Sequence, residues 1–199
     1  MTDIDILTLD VGQIIARHLD PDRLTQYWDL LMAENRKVNL VSRETSREAF
    51  DRMVAESLMP LDLLSSDFDS YLDIGSGGGL PAMILLLTGR IKGETWLVER
   101  TQKKTAALGR MLESLSLQAL PIPRTFEEAP LARKFDLITL RYVKLTPQLL
   151  RRVLPALSPS GVFAYYSRPE FDLAFQNATV VSYRIGSEDF VKSLTLFRR

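Results

Sequence analysis

The chain of 199 residues contains no cysteine and a single histidine, His18. Without cysteine there is no disulfide, no thiolate zinc site and no cysteine nucleophile. A lone histidine argues against a histidine metal cluster and a Ser-His-Asp triad, so no metal is expected. Net charge is also lacking: 25 Lys and Arg balance 25 Asp and Glu, which argues against tight nonspecific binding to nucleic acid. Long apolar runs are missing as well, the densest being Met83 to Leu87, far too short for a bilayer. The amino terminus, Met1-Thr2-Asp3-Ile4-Asp5, is acidic and has no basic region ahead of an apolar run. No internal repeat or low-complexity segment is found. The expectation is a soluble, cytoplasmic protein with no membrane partner, forming one substantial unit with a helical extension.

The zero net charge hides an uneven distribution. Residues 1–35 carry seven acids and two bases, whereas residues 36–199 carry eighteen acids and twenty-three bases. Two basic clusters, Arg36-Lys37-Arg43-Arg47-Arg52 and Arg141-Lys144-Arg151-Arg152, can form a phosphate-facing surface if they share a side, and solvated helix faces explain them equally well.

Residues up to about 66 read as helices that cap a second unit over residues 67–199. Leu24, Tyr27, Trp28 and Leu31 recur at helical spacing behind the start signal Asp20-Pro21-Asp22, which makes Trp28 a core residue. Asn35 and Asn39 bracket the end of that helix, and Ser42 or Thr45 is expected to cap another running through Phe50, Val54 and Leu58 to about Leu64. From Tyr71 onward strands and helices alternate. The expected order is strand 70–74, helix 80–89, strand 95–99, helix 101–115, strand 119–122, strand 135–140, helix 147–156 and strand 161–167. A short helix is expected after Arg168-Pro169, then an antiparallel hairpin at one sheet edge from Ala178–Ile185 and Phe190–Phe197. This is an α/β fold with a Rossmann-like seven-stranded sheet, mostly parallel with one reversed strand. A class I S-adenosylmethionine-dependent methyltransferase with an amino-terminal helical cap has this architecture.

The chemistry sits after the strands. Asp73-Ile74-Gly75-Ser76-Gly77-Gly78-Gly79-Leu80-Pro81 runs a strand into a glycine-dense turn, where Gly75, Gly77 and Gly79 permit positive φ and close approach of a ligand. A dinucleotide fingerprint, G-x-G-x-x-G, would place its third glycine on Leu80, so S-adenosylmethionine fits the spacing better. Glu99 ends the next strand, where a carboxylate can accept both ribose hydroxyls; the alternative is a tight turn beside a solvated glutamate. Arg124-Thr125-Phe126-Glu127-Glu128 follows the third strand and offers an amide and an acid to the adenine edge, with Phe126 or Leu80 against its face. Acids at a helix start explain Glu127 and Glu128 as well. Arg141-Tyr142-Val143-Lys144 follows the fourth strand, where a class I enzyme presents its acceptor. The Asn/Asp-Pro-Pro-aromatic loop of amine methyltransferases is missing there, which disfavours an exocyclic amine. A cation beside an aromatic suits a stacked base, and guanine N7 needs no general base. Arg141 and Tyr142 are therefore the candidate catalytic residues, against the alternative of a capping cation and a core aromatic.

Asn35-Arg36-Lys37-Val38-Asn39-Leu40, Glu56-Ser57, the Leu72–Pro81 run, Lys103-Lys104, Phe126-Glu127-Glu128 and Arg141 together resemble the glucose-inhibited division protein B family (RsmG/GidB), the guanine-N7 methyltransferases of small-subunit ribosomal RNA. The resemblance runs from about residue 20 to 165. It implies S-adenosylmethionine held at Gly75, Leu80, Phe126, Glu127 and Arg141, to which the turn adds Asp73, Gly77, Gly79 and Glu99. It implies an acceptor in 16S ribosomal RNA, free or in the small subunit as an assembly intermediate, met by a monomer. Asn35, Arg36, Lys37, Asn39, Lys144 and Arg168 are the candidate RNA contacts, Arg168 standing where the family carries a Lys-Gly pair. The family also has histidine where Met53 stands and aspartate where Glu56 stands. Two other readings stay open, a small-molecule acceptor in an enclosed apolar pocket and a cofactor-binding protein without catalysis.

Overall fold

In a computed structural model describing residues 6–64, 66–130, 133–167 and 178–198, the expected alternation of strand and helix is present. The elements are β1 (Leu7–Leu9), α1 (Val11–His18), α2 (Pro21–Asn35), α3 (Arg47–Leu63), β2 (Phe68–Ile74), α4 (Ala82–Leu87), β3 (Ile91–Val98), α5 (Gln102–Ser114), β4 (Leu120–Ile122), β5 (Phe135–Arg141), α6 (Pro147–Val153), β6 (Leu157–Ser167), β7 (Ala178–Ile185) and β8 (Lys192–Arg198). The helix expected after Arg168-Pro169 lies outside the described residues.

Helices α1, α2, α3 and α6 begin where a side chain satisfies free N–H groups. The Asp20 carboxylate accepts from the backbone N–H of Asp22 and Arg23 at 2.9 and 3.0 Å, with Pro21 at the first helical position of α2. The cap of α3 is Ser46, whose Oγ accepts from Ala49 N–H at 3.1 Å, and not Ser42 or Thr45. Ser42 is spent one turn earlier, on the N–H of Glu44, and Thr45 is buried.

Among the described residues eight strands form one sheet in the order β1-β7-β8-β6-β5-β2-β3-β4. Of these only β8 runs against its neighbours, pairing antiparallel with both β6 and β7. The eighth strand is β1, which lies in the segment expected to be helical and pairs parallel with β7, Leu7 against Tyr183. The hairpin is consequently inside the sheet: β8 is inserted beside β6 and β7 is covered by β1. Helices α2 to α5 bury Leu31, Leu58, Ile84 and Leu108 against one face of the sheet, and α6 buries Leu149, Leu150 and Val153 against the other. Both faces of β2 and β5 are thus dry, as their continuous apolar runs require.

Strand order reverses between β2 and β5, because the chain moves from β2 to β3 and β4 on one side and then returns to β5 on the other. Ile74 stands opposite Val98 on β3 and Leu140 on β5, and Val98 opposite Ile122. That register lines up Gly75, Glu99, Arg141 and the residues after Ile122 along one rim. No helix among the described residues is long and apolar enough to cross a membrane.

Candidate active site

A cleft of about 800 Å³ opens on that rim, lined by Gly75, Ser76, Gly77, Gly78, Leu80, Glu99, Phe126, Glu127, Arg141 and Tyr142 among others. Clefts at the carboxyl ends of strands where the order reverses are the usual ligand sites of open parallel sheets, and this volume suits a nucleoside-sized ligand.

The glycine turn is held from three sides. Gly75 and Ser76 donate their N–H groups to Val98 O at 2.8 and 3.1 Å, and the Tyr27 hydroxyl on α2 donates to Gly78 O at 2.8 Å. The third support is Glu99, whose Oε2 accepts from Gly77 N–H at 3.1 Å while its Oε1 accepts from Thr101 N–H at 2.8 Å. Each oxygen keeps a lone pair for a further donor. Gly77 has φ +52°, and a Cβ there would meet nothing nearer than Gly75 O at 3.7 Å, so this glycine opens onto the cleft. Gly79, also at positive φ, turns the other way: a Cβ would overlap Met83 Cγ and come within 3.0 Å of Tyr27 Oη. Gly79 is a packing glycine, corrected from the cofactor set. Asp73 likewise does not line the cleft. Its Oδ1 accepts from Thr139 Oγ1 at 2.5 Å, lacing β2 to β5, and burial pushes its carboxyl up to about 6.

The mouth is built by Arg141 and Tyr142. Tyr142 is 78 % exposed, adopts φ +58°, and rests its ring on the Arg141 guanidinium, 4.8 Å from centroid to Cζ. Arg141 is not the free cation expected. It is 3 % exposed, paired with Glu56, and donates through Nη1 to Ser57 Oγ at 3.1 Å and Met53 O at 3.2 Å. Burial works against its charge, and the Glu56 carboxylate together with Tyr142, Tyr166 and Tyr183 outweighs this, so its pKa stands above the ordinary arginine value.

The expected RNA contacts divide. Arg36, Lys37, Asn39 and Lys144 are exposed, but none lines the cleft. Asn35 is buried, and its Oδ1 accepts from Leu40 N–H at 2.8 Å and Val41 N–H at 3.1 Å. It therefore shapes the loop after α2 and is corrected from the RNA set. Arg168 lies outside the described residues. Leu40, Val41, Met53 and Val143 in the wall, and Arg100, Lys104 and Arg124 on the rim, were given no site role from the sequence. Arg100 directly follows Glu99 and Arg124 directly precedes Thr125-Phe126, so both cations were within reach of an inspection of the strand ends. Among the described residues no group of His, Cys, Asp and Glu could hold a metal.

Residues 20–195 match the GidB family, described as rRNA small subunit methyltransferase G. The chain belongs to this family. As a member of the GidB family it is an S-adenosylmethionine-dependent methyltransferase. It is 27 % identical over 204 residues to ribosomal RNA small subunit methyltransferase G of Magnetococcus marinus, covering 94 % of this chain and 91 % of that protein. To the same enzyme of Granulibacter bethesdensis it is 36 % identical over 155 residues, 77 % of this chain and 70 % of that one. Two solved structures share the fold. A Thermus thermophilus 16S rRNA N2 G1207 methyltransferase, in complex with AdoMet and guanosine, superimposes with a TM-score of 0.58 at 20 % identity, over 74 % of this chain and 42 % of that chain. An O-methyltransferase-like structure from Klebsiella pneumoniae gives 0.59 at 14 % identity, over 94 % and 96 %. The GidB cofactor fits the cleft on the observations above: an open glycine turn and a carboxylate fixed beside it.

Proposed function

We propose that this GidB-family member transfers a methyl group from S-adenosylmethionine to N7 of a guanosine in 16S ribosomal RNA. The observation that carries this reading is one cleft that Glu99 and the exposed Tyr142 both line, after the two strands that flank β2 and its glycine turn, with Arg100, Lys104 and Arg124 around it. Bound S-adenosylmethionine supplies an electrophilic methyl on a sulfonium. Glu99, already oriented by two backbone N–H groups, offers its remaining lone pairs to the ribose hydroxyls. Leu80 and Phe126 give apolar surface for adenine, and Glu127 an acceptor at its edge. Tyr142, set on the Arg141 guanidinium, offers its free ring face to the acceptor base. The N7 lone pair lies in the plane of the base, so no residue has to remove a proton before transfer. The contribution of the chain is alignment, and orientation of this kind supplies up to about 7–11 kcal/mol.

Cations around an accessible cleft suit phosphate, whereas a small apolar acceptor would call for an enclosed apolar pocket. We infer further that the helices α1 to α3 act as a helical cap, that the protein works as a cytoplasmic monomer, and that free ribosomal RNA or an assembly intermediate of the small subunit is the substrate. Incubation with labelled cofactor and small subunits or deproteinised 16S RNA, followed by mapping of 7-methylguanosine, tests this. Labelled 7-methylguanosine is the expected product; no incorporation beside an active control refutes the reading.

A further inference from the structure

Beneath Tyr142 lies a buried ionic cluster, most of which takes no part in lining the cleft. Glu56 on α3 is 4 % exposed and both its oxygens are engaged. Oε2 meets Arg141 Nη2, while Oε1 accepts from the Tyr183 hydroxyl at 2.6 Å and faces Lys192 Nζ at 3.3 Å. Tyr183 comes from β7 and Lys192 opens β8, two strands that supply no residue to the lining of the cleft. Lys192 is in turn 4.0 Å from Glu188, which pairs with Arg52 at 3.3 Å. On the other side, the Arg141 Nη2 that meets Glu56 also donates to the Tyr142 hydroxyl at 3.2 Å. A continuous chain of contacts therefore runs from the carboxyl-terminal hairpin through Glu56 and Arg141 to the exposed ring.

Buried ion pairs are poor stabilisers compared with apolar packing of equal volume, because desolvation offsets most of the attraction. What this one fixes is orientation. The guanidinium is gripped by Glu56 at Nη2 and by Ser57 and Met53 O at Nη1, which leaves its plane no freedom to turn under the tyrosine. Tyr142 depends on that support, since it holds a left-handed backbone that L side chains rarely adopt and presents its ring to solvent.

We propose that Glu56, clamped by Tyr183 and Lys192, is a positioning residue for methyl transfer: it sets the Arg141 guanidinium and through it the Tyr142 platform. The inference rests on the reading of the cleft given above. It makes the hairpin β7–β8 part of the apparatus that aligns the acceptor.

The test is Tyr183→Phe in the full chain, assayed with S-adenosylmethionine and the small-subunit RNA, since this change removes one hydroxyl and keeps the buried ring. Misalignment at the mouth should lower kcat by about ten- to a hundredfold. Cofactor affinity, measured by calorimetry, should stay within about twofold, a split that a general loss of structure would not give. In a Tyr142→Ala background the same change should cost nothing further, because both act through one platform. Lys192→Met, at a position 23 % exposed by side chain, removes the other arm and should lower kcat in the same way should Tyr183→Phe fail to fold. Unchanged kcat in an active protein, or an equal fall with and without Tyr142, overturns the inference while leaving the function standing. If the unaltered protein methylates no RNA, the reading of the cleft fails and this inference falls with it.

Discussion

Replacing Glu99 by glutamine changes one charge and one acceptor without changing volume. The carboxylate is 7 % exposed and accepts two backbone N–H groups, Thr101 at 2.8 Å and Gly77 at 3.1 Å. In glutamine one oxygen becomes an NH₂ donor, so either Thr101 or Gly77 faces another donor and loses its partner, and one ribose hydroxyl loses its acceptor. Hydrogen bonds to a charged group are worth about 1.5–3 kcal/mol and neutral ones about 0.5–1.5 kcal/mol. The net loss to cofactor binding is therefore about 1–3 kcal/mol, a rise of about 5- to 150-fold in Kd. Isothermal titration with S-adenosylmethionine and with its demethylated product measures this directly, and circular dichroism checks that the variant is folded. Both ligands should lose the same factor, since the contact lies on the sugar, away from the methyl. A folded Glu99→Gln protein with Kd within about twofold of the original would show that the ribose lies elsewhere and would refute the reasoning.

Gly77→Val places a β-branched residue at φ +52° with its side chain in the open cleft; the backbone strain is about 1–3 kcal/mol, and calorimetry should find cofactor binding abolished in a protein that still folds. Arg141→Ala leaves the buried Glu56 carboxylate with Lys192 as its remaining cation, so urea denaturation should show a loss of about 3 kcal/mol, part of which is recovered when Glu56 is also replaced by glutamine. The Arg110 guanidinium, with Lys37, holds the Glu34 carboxyl at about 2, below its ordinary 4.5. Its stabilisation is complete above pH 4.5 and fades as pH falls towards 2; with both partners half-exposed or more, it amounts to about 1–2 kcal/mol, and Glu34→Gln should flatten the acid limb of a stability–pH profile by that much.

The turn, its strand and Glu99 were legible because each is local: apolar residues followed by glycines at fixed offsets, then an acid closing the next strand. The sheet was legible for the same reason, from alternation alone. What escaped the sequence depends on contacts between distant residues. Leu7–Leu9 is three residues long and becomes a strand only by pairing with Tyr183–Ile185, far along the chain. Placing the hairpin strands within the sheet required knowing that β8 enters beside β6. Positive φ at Gly79 was expected from its place in the turn, but which side it faces is decided by Met83 and Tyr27. Asn35 shows the same limit: a polar residue at the end of a helix reads as a ligand contact until the loop that consumes its oxygen is seen. Arg141 and Glu56 were both picked out, but the pairing between them, across 85 positions, was not.

These long-range contacts explain how unfavourable features are held in place at the ends of β2 and β5. Tyr142 holds a left-handed backbone, Asp73 Oδ2 and Arg141 Nε are buried without a hydrogen-bond partner, and Asp73 carries a pKa lifted to about 6 by burial. Each costs on the order of 1–3 kcal/mol, more than a surface site would tolerate. They persist because β2 and β5 are paired on both sides and packed on both faces, so relaxation of one residue would have to disturb the whole centre of the sheet. Substitutions that relieve these costs should therefore stabilise the fold at the expense of transfer. Tyr142→Gly is the clearest instance, since glycine accepts φ +58° without strain but leaves the Arg141 guanidinium with no ring to carry to the acceptor.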